Sequence, residues 1–320
     1  MLFLEILLLV VGMVLLIKGA DFFVDGSSTI AKAMRIPAVI IGLTLVSMGT
    51  SAPELSVSIS AALAGSNDLS LGNVVGSNSF NTFLILGISA ALIPLIIDDG
   101  MKKFDIPIML GTYALLLVFG FLITPNKLDL FESISLLVLF VGYMTLLFIR
   151  AKKDRSVVEE QEDNEVVTKK KVIISIILSI VGLAGIIFGG DLVVDNASKL
   201  AVRFGMSEAM VGLTIVAIGT SLPELVTSIV AAIKKENDIA VGNVIGSNIF
   251  NALLILGATS TILPLSLSNE SLIDLVVLFI SGLFVFIISR FSKNIKKWQG
   301  VLFILIYIAY FVYVILRNYL

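Results

Sequence analysis

Residues 42–87 read GLTLVSMGTSAPELSVSISAALAGSNDLSLGNVVGSNSFNTFLILG, and residues 212–257 read GLTIVAIGTSLPELVTSIVAAIKKENDIAVGNVIGSNIFNALLILG. The two stretches align without a gap at an offset of 170, with 28 of 46 positions identical. The same offset carries the alignment from Gly19 to Pro94. Leu, Ile and Val would match by chance between any two apolar segments, but Gly, Pro, Glu, Asn and Ser at fixed spacing would not. The chain is an internal duplication, and a repeat of this kind has to be read before any other feature.

The medium in which the copies fold follows from composition. Of 320 residues, 58% are hydrophobic and 14% charged, with a mean hydropathy of +1.06. Soluble domains carry roughly 25% charged residues, so the chain is read as an integral membrane protein. A helix crossing roughly 30 Å of hydrocarbon needs about 20 apolar residues. Ten such spans are expected, at about 2–25, 38–65, 70–95, 106–124, 128–149, 172–195, 209–233, 240–265, 272–290 and 299–317. The first opens Met-Leu-Phe-Leu-Glu without a basic leader and reads as an uncleaved helix.

Of the 22 Lys and Arg, 18 fall in one set of connections, and only Lys127, Lys199, Arg203 and Arg317 fall in the alternate set. The positive-inside rule then places both termini outside the cell membrane. Each half holds five spans, an odd number, so the copies enter the bilayer in opposite senses. The expected fold is an all-α integral membrane protein, with ten transmembrane helices as two inverted five-helix repeats, N-out and C-out. Residues 1–149 form the first repeat (motif about 42–87) and 172–320 the second (motif about 212–257). A cytoplasmic linker, 150–171, joins them. Its acidic run lacks the ligand pattern of an EF-hand and reads as a solvated segment. Inverted repeats are a signature of secondary transporters, whose sites lie near the midplane where the repeats meet. A duplicated gated channel is the competing architecture.

The chain has no His and no Cys. That excludes imidazole proton relays, thiolate metal sites and disulfides. A net charge of -2 gives no case for nucleic acid. Any cation must be held by oxygen. Glu54 is the only ionisable residue between Arg35 and Asp68, and Glu224 stands at the same place in the second copy. A carboxylate at membrane depth costs a few kcal/mol or more and marks function. Pro53 and Pro223 lack an N–H and open the helix around Gly49–Thr50 and Gly219–Thr220, which frees carbonyl oxygens.

Ser51, Glu54 and Ser58 share one helical face, as do Ser221, Glu224 and Ser228. The facing wall comes from Asn73, Ser77 and Asn81, and from Asn243, Ser247 and Asn251. For Asn73 and Asn243, nearer the helix starts, capping is the alternative role, while Asn81 and Asn251 lie deeper and read as ligands. The result is an all-oxygen cage of formal charge about -2. Such a cage suits calcium or a few monovalent ions rather than copper or zinc. Paired Glu residues could also serve acid–base chemistry, but no nucleophile accompanies them, and the chain is not read as an enzyme.

Gly49-Thr50-Ser51-x-Pro53-Glu54 with Gly76-Ser77-Asn78, repeated at Gly219-Thr220-Ser221-x-Pro223-Glu224 with Gly246-Ser247-Asn248, resembles the paired α-repeats of the sodium/calcium exchanger family, within the cation/Ca²⁺ antiporter superfamily. The resemblance implies an antiporter exchanging three Na⁺ for one Ca²⁺. Calcium would be ligated by Glu54 and Glu224 with backbone oxygens of Thr50 and Thr220. One sodium site would use Ser51, Ser77, Glu54 and the carbonyl of Ser47, and its mirror image Ser221, Ser247, Glu224 and the carbonyl of Ala217. Asn81 and Asn251 would border the centre. Potassium-dependent relatives look acidic at those two positions, so no potassium co-transport is expected. Family members alternate access by sliding the first and sixth helices over a fixed core. Here those helices carry Gly19 and Gly189, with Asp21, Asp25, Asp191 and Asp195 near their ends, read as interfacial. The implied substrates are Ca²⁺ and Na⁺ in a lipid bilayer, with no cofactor and no obligate protein partner evident. An H⁺/Ca²⁺ antiporter is the alternative, although that branch lacks the Thr-Ser-x-Pro-Glu pattern and the adjoining serines.

Overall fold

The computed structural model describes residues 2–161, 168–206, 215 and 217–319. Its helices are α1 (Leu2–Met34), α2 (Ala38–Thr50), α3 (Ala52–Leu63), α4 (Leu69–Leu92), α5 (Met101–Ile123), α6 (Leu130–Gln161), α7 (Lys169–Arg203), the short α8 (Ala217–Gly219), α9 (Leu222–Ile233), α10 (Asn237–Ile262), α11 (Asn269–Phe291) and α12 (Lys297–Tyr319). Among the described residues eight helices are long and apolar enough to cross a membrane. The pair α2–α3, bent by 46°, makes a ninth. The remaining expected span, 209–233, is represented by α8 and α9; residues 207–214 and 216 lie outside the described ones.

Several helices outrun the spans expected of them. Helix α1 has 33 residues and α7 has 35, against expected ends at 25 and 195. Helix α6 continues past Arg150 to Gln161. The hydropathy ruler stops where apolar residues stop, whereas α6 continues through Lys, Glu, Gln and Arg, all good helix formers. Thr168 starts α7 by accepting a hydrogen bond from the Lys171 N–H.

Helices α1 and α7 pack together along most of their length, through glycines seven residues apart. A Cβ on Gly12 would come 2.9 Å from the Gly189 carbonyl, and one on Gly19 would come 2.7 Å from the Gly182 carbonyl. Backbone therefore lies on backbone along this seam. Both helices are peripheral. Only 17% of the α1 core stretch is buried, whereas 94% of the corresponding stretch of α10 is, which puts α10 at the centre.

Two-residue antiparallel ladders join the loops: β1 (Leu95–Ile96) with β4 (Asn294–Ile295), and β2 (Lys127–Leu128) with β3 (Leu265–Ser266). The first ladder lies at the linker end of the bundle and the second at the termini end. Each pairs the first half of the chain with the second. Beyond Pro94 the sequence alignment fades, yet matching contacts continue. Asp105 accepts from Arg150 Nη1 at 2.8 and 2.9 Å and from the Tyr143 hydroxyl at 3.1 Å. Asp274 accepts from Arg317 at 2.8 and 2.6 Å and from the Tyr310 hydroxyl at 2.9 Å. Each aspartate ties one helix to the next at an end of the bundle, with a full set of partners for a charge near lipid.

Tight turns also match at the offset. Gly65 (φ 76°) corresponds to Lys235 (φ 65°), and Gly205 (φ 97°) to Arg35 (φ 53°). In both pairs glycine serves at the termini end and a basic residue at the linker end. A left-handed conformation costs a side-chain-bearing residue roughly 1–2 kcal/mol, so the basic charge at the linker end is carried against backbone preference.

Candidate functional site

The α2–α3 break falls at Ser51, whose φ and ψ of -83° and 7° leave the helical range, and the α8–α9 break falls at Ser221, at -91° and 5°. Pro53 and Pro223 sit in the first turn of the resumed helices, where a missing N–H is tolerated. Each break therefore starts a helix, and Glu54 and Glu224 lie in its first turn. Helix N-termini favour negative charge.

The two breaks meet at the centre. Glu54 and Glu224 are each 0% exposed. The Ser51 hydroxyl donates to Glu224 Oε1 at 2.8 Å, and the Ser221 hydroxyl donates to Glu54 Oε1 at 3.0 Å. Ser77 also donates to Glu54 Oε1, at 3.2 Å, and Ser221 lies 3.0 Å from Ser77. Ser51 and Ser221 thus each serve the carboxylate of the opposite repeat, a cross-over that sequence spacing does not reveal. The second oxygen of each carboxylate, Oε2, is buried with no hydrogen-bond partner. Both side-chain atoms of Asn81 and the Oδ1 of Asn251 are likewise buried without partners. These oxygens suit a cation, since an acceptor left unmatched in low dielectric costs free energy. Among the described residues no three acidic side chains are arranged to hold a metal ion together. The charge available at the centre is that of two carboxylates.

Ser58 and Ser228, read from the sequence as part of the ligand face, are engaged elsewhere. Asn73 Nδ2 donates to Ser58 Oγ at 2.9 Å and to the Glu54 carbonyl at 3.2 Å. Asn243 Nδ2 donates to Ser228 Oγ at 3.0 Å and to the Glu224 carbonyl at 3.5 Å. Neither asparagine caps its helix. Their Oδ1 atoms accept from the threonine of the opposite repeat, Thr220 to Asn73 at 3.3 Å and Thr50 to Asn243 at 3.1 Å. Thr50, Thr220 and the two glutamates are thus tied across the repeat interface by four hydrogen bonds, two from the threonines and two from the serines.

The remaining candidates divide. Ser247 donates to the Ser47 carbonyl at 3.5 Å, which brings both to the site. Asn251 Nδ2 donates to Ser77 Oγ at 3.2 Å and to Asn78 Oδ1 at 3.0 Å. Ala217 opens α8, just before its break. Two features escaped the sequence reading. Asn78 and Asn248 bridge α4 and α10, Asn78 Nδ2 donating to the Asn248 carbonyl at 3.0 Å; their matched positions at the offset were the available signal. The helices also widen into π-turns at Phe80–Ile85 and Asn251–Ile255, where Asn81 and Asn251 lie. Such turns gather at functional sites and have no sequence signature.

The profile of the sodium/calcium exchanger protein family matches residues 4–149 and 174–316. The chain belongs to the sodium/calcium exchanger family. A relative from Methanosarcina acetivorans, the sodium/calcium exchanger MaX1, is 34% identical over 343 residues, covering 96% of this chain and 97% of its own. The uncharacterized membrane protein MJ0091 of Methanocaldococcus jannaschii is 35% identical over 297 residues, with 93% of each chain covered. A solved structure of the sodium-calcium exchanger NCX_Mj, soaked with Na⁺ and Sr²⁺, superposes with a TM-score of 0.86 at 33% identity, over 98% of this exchanger and 99% of that chain. Each matched segment contains one of the two helix breaks and one glutamate of the central pair, Glu54 in the first and Glu224 in the second.

Proposed function

We propose that this exchanger is a secondary active antiporter that moves Na⁺ one way and Ca²⁺ the other by alternating access, in a ratio of 3 Na⁺ to 1 Ca²⁺. The observation that carries the reading is the reciprocal pair Ser51–Glu224 and Ser221–Glu54, buried and made only of oxygen donors. Calcium takes six to eight oxygens in flexible geometry. Glu54, Glu224 and the carbonyls of Thr50 and Thr220 supply a calcium position. Ser51, Ser77, Glu54 and the Ser47 carbonyl are assigned to one sodium position, and Ser221, Ser247, Glu224 and the Ala217 carbonyl to its counterpart, the Ser51 and Ser221 hydroxyls reaching across the repeat interface to link the two. Asn81 and Asn251 border the centre. In this reading the chain is two inverted five-helix repeats, 1–149 and 172–320, joined by the linker 150–171. The basic linker end faces the cytoplasm, and both termini lie outside the cell membrane.

Coupling follows from charge. One divalent ion or a set of monovalent ions neutralises the two carboxylates. Without either, both charges remain unpaired in low dielectric, and a reorientation that buries them is disfavoured. Movement without an ion is suppressed, and each load returns the carrier for the other.

The test is ⁴⁵Ca²⁺ uptake into proteoliposomes of the purified exchanger, loaded with Na⁺ and diluted into Na⁺-free buffer with a protonophore. Uptake that vanishes when the Na⁺ gradient is removed is the expected result. Uptake that instead requires a pH gradient would overturn sodium coupling and make Glu54 and Glu224 proton carriers.

A further inference from the structure

Asp21 and Asp25 of α1 and their counterparts at the offset, Asp191 and Asp195 of α7, take no part in the ion site. At the linker end Lys234 Nζ lies 2.5 Å from Asp21 Oδ1 and 2.7 Å from Asp25 Oδ1, and donates to the Asp21 carbonyl at 3.0 Å. One turn further along α1, the Ser28 hydroxyl donates to Glu236 Oε1 at 2.8 Å. Lys18 is more distant, 3.8 Å from Asp21 Oδ2. The side chains of Lys234 and Asp21 are 24% and 33% exposed, partly withdrawn from water.

The second half keeps the carboxylates and loses the cation. At the offset of 170, Lys234 corresponds to Ala64 and Glu236 to Ser66. The packing differs in the same sense: α1 lies along α9 at the linker end, whereas α7 has no comparable packing on α3 at the termini end. There α7 instead borders an apolar cavity of ≈ 280 Å³ lined by Val193, Val194, Ile215, Ile218, Leu222 and Phe311.

From this asymmetry we infer that Lys234, clamped by Asp21 and Asp25, is a one-sided ionic latch that holds α1 against α9 and closes the linker-end path to the ion site. The inference rests on the exchange reading, in which α1 and α7 slide over the remaining helices. They move together, because the seam of Gly12, Gly19, Gly182 and Gly189 and the ion pair of Arg203 with Glu5 at 2.6 Å bind them to each other. Sliding toward the state open at the linker end carries Asp21 and Asp25 away from Lys234. The latch opens in every cycle, and among the described residues no matching latch opposes the reverse movement. Lys234 is therefore a positioning residue that sets the balance between the two access states.

The chain contains no cysteine, so a single introduced thiol reports without background. Ala231 is fully buried and lies three residues before Lys234 on the same helix face. The experiment follows labelling of full-length Ala231→Cys protein in detergent by a membrane-impermeant maleimide. Adding Lys234→Ala should raise the labelling rate by about two- to fivefold, the range a partly exposed ion pair can shift a two-state balance. Lys234→Arg should restore the slow rate, and Lys235→Gln should leave it unchanged. Equal rates for Lys234→Ala and the parent, or no restoration by Arg, would overturn the latch. The labelling does not depend on transport, so failure of all variants to exchange Ca²⁺ while labelling responds as described would sink the exchange reading and leave the latch standing.

Discussion

The candidate ion site and the helix pair α1 and α7 are built by the same duplication, yet they treat it differently. In the asparagine–threonine part of the site the repeats match contact for contact: Asn73 with Ser58, Glu54 and Thr220 in one half, Asn243 with Ser228, Glu224 and Thr50 in the other. At the helix ends the match fails, with Lys234 facing two aspartates where Ala64 stands in the first copy. A cage that receives ions from either face of a membrane gains from symmetry. A carrier with a preferred resting state needs the symmetry broken somewhere, and here the break lies away from the ligands.

The largest effect expected from this comparison is at the carboxylates. Glu54→Gln and Glu224→Gln should each leave a folded protein and reduce Ca²⁺ exchange by about a hundredfold or more, since each removes one charge from a buried constellation. Wild-type-like ⁴⁵Ca²⁺ exchange in either variant would remove it from the site. Next come Asn73→Ala and Asn243→Ala, each of which strips partners from several buried groups. Each should cost about 1–3 kcal/mol in stability, read as lowered midpoints of thermal unfolding. Near-equal losses support the matched network; a loss confined to one half would break it.

Ser51→Ala and Ser221→Ala should weaken Na⁺ dependence by about tenfold, on the scale of one charge-assisted hydrogen bond, with a smaller change in Ca²⁺ affinity. The reverse order would overturn the division into sodium and calcium positions. The subtlest test restores symmetry. Ala64→Lys supplies a partner for Asp191 and Asp195 and should favour the opposite access state, raising Ala231→Cys labelling by about threefold. A rate unchanged by Ala64→Lys would mean that the two ends are not equivalent even in geometry.

Much of this was legible before any coordinates. Glu54 and Glu224 betrayed themselves as lone charges in apolar runs, and Pro53 and Pro223 marked the breaks. Their convergence could not be read, because which hydroxyl meets which carboxylate depends on how the repeats pack. Asn73 and Asn243 were ambiguous for a local reason: an asparagine near a helix start is favoured by capping, and only tertiary contact redirects it. The Asp105–Arg150 and Asp274–Arg317 pairs were hidden by drift in the offset, which falls from 170 in the core motif to 169 between the aspartates and 167 between the arginines. A gapless alignment loses such pairs, while the folded chain keeps them because a charge near lipid still needs its partner.

The two short ladders have a consequence for how the molecule is held as one piece. Leu95–Ile96 with Asn294–Ile295, and Lys127–Leu128 with Leu265–Ser266, stitch the halves to each other at opposite ends of the bundle. Cohesion between the halves is thus distributed over noncovalent seams at both ends of the bundle. The arrangement is that of a dimer whose subunits share a chain, and two separately synthesised halves are expected to reassemble.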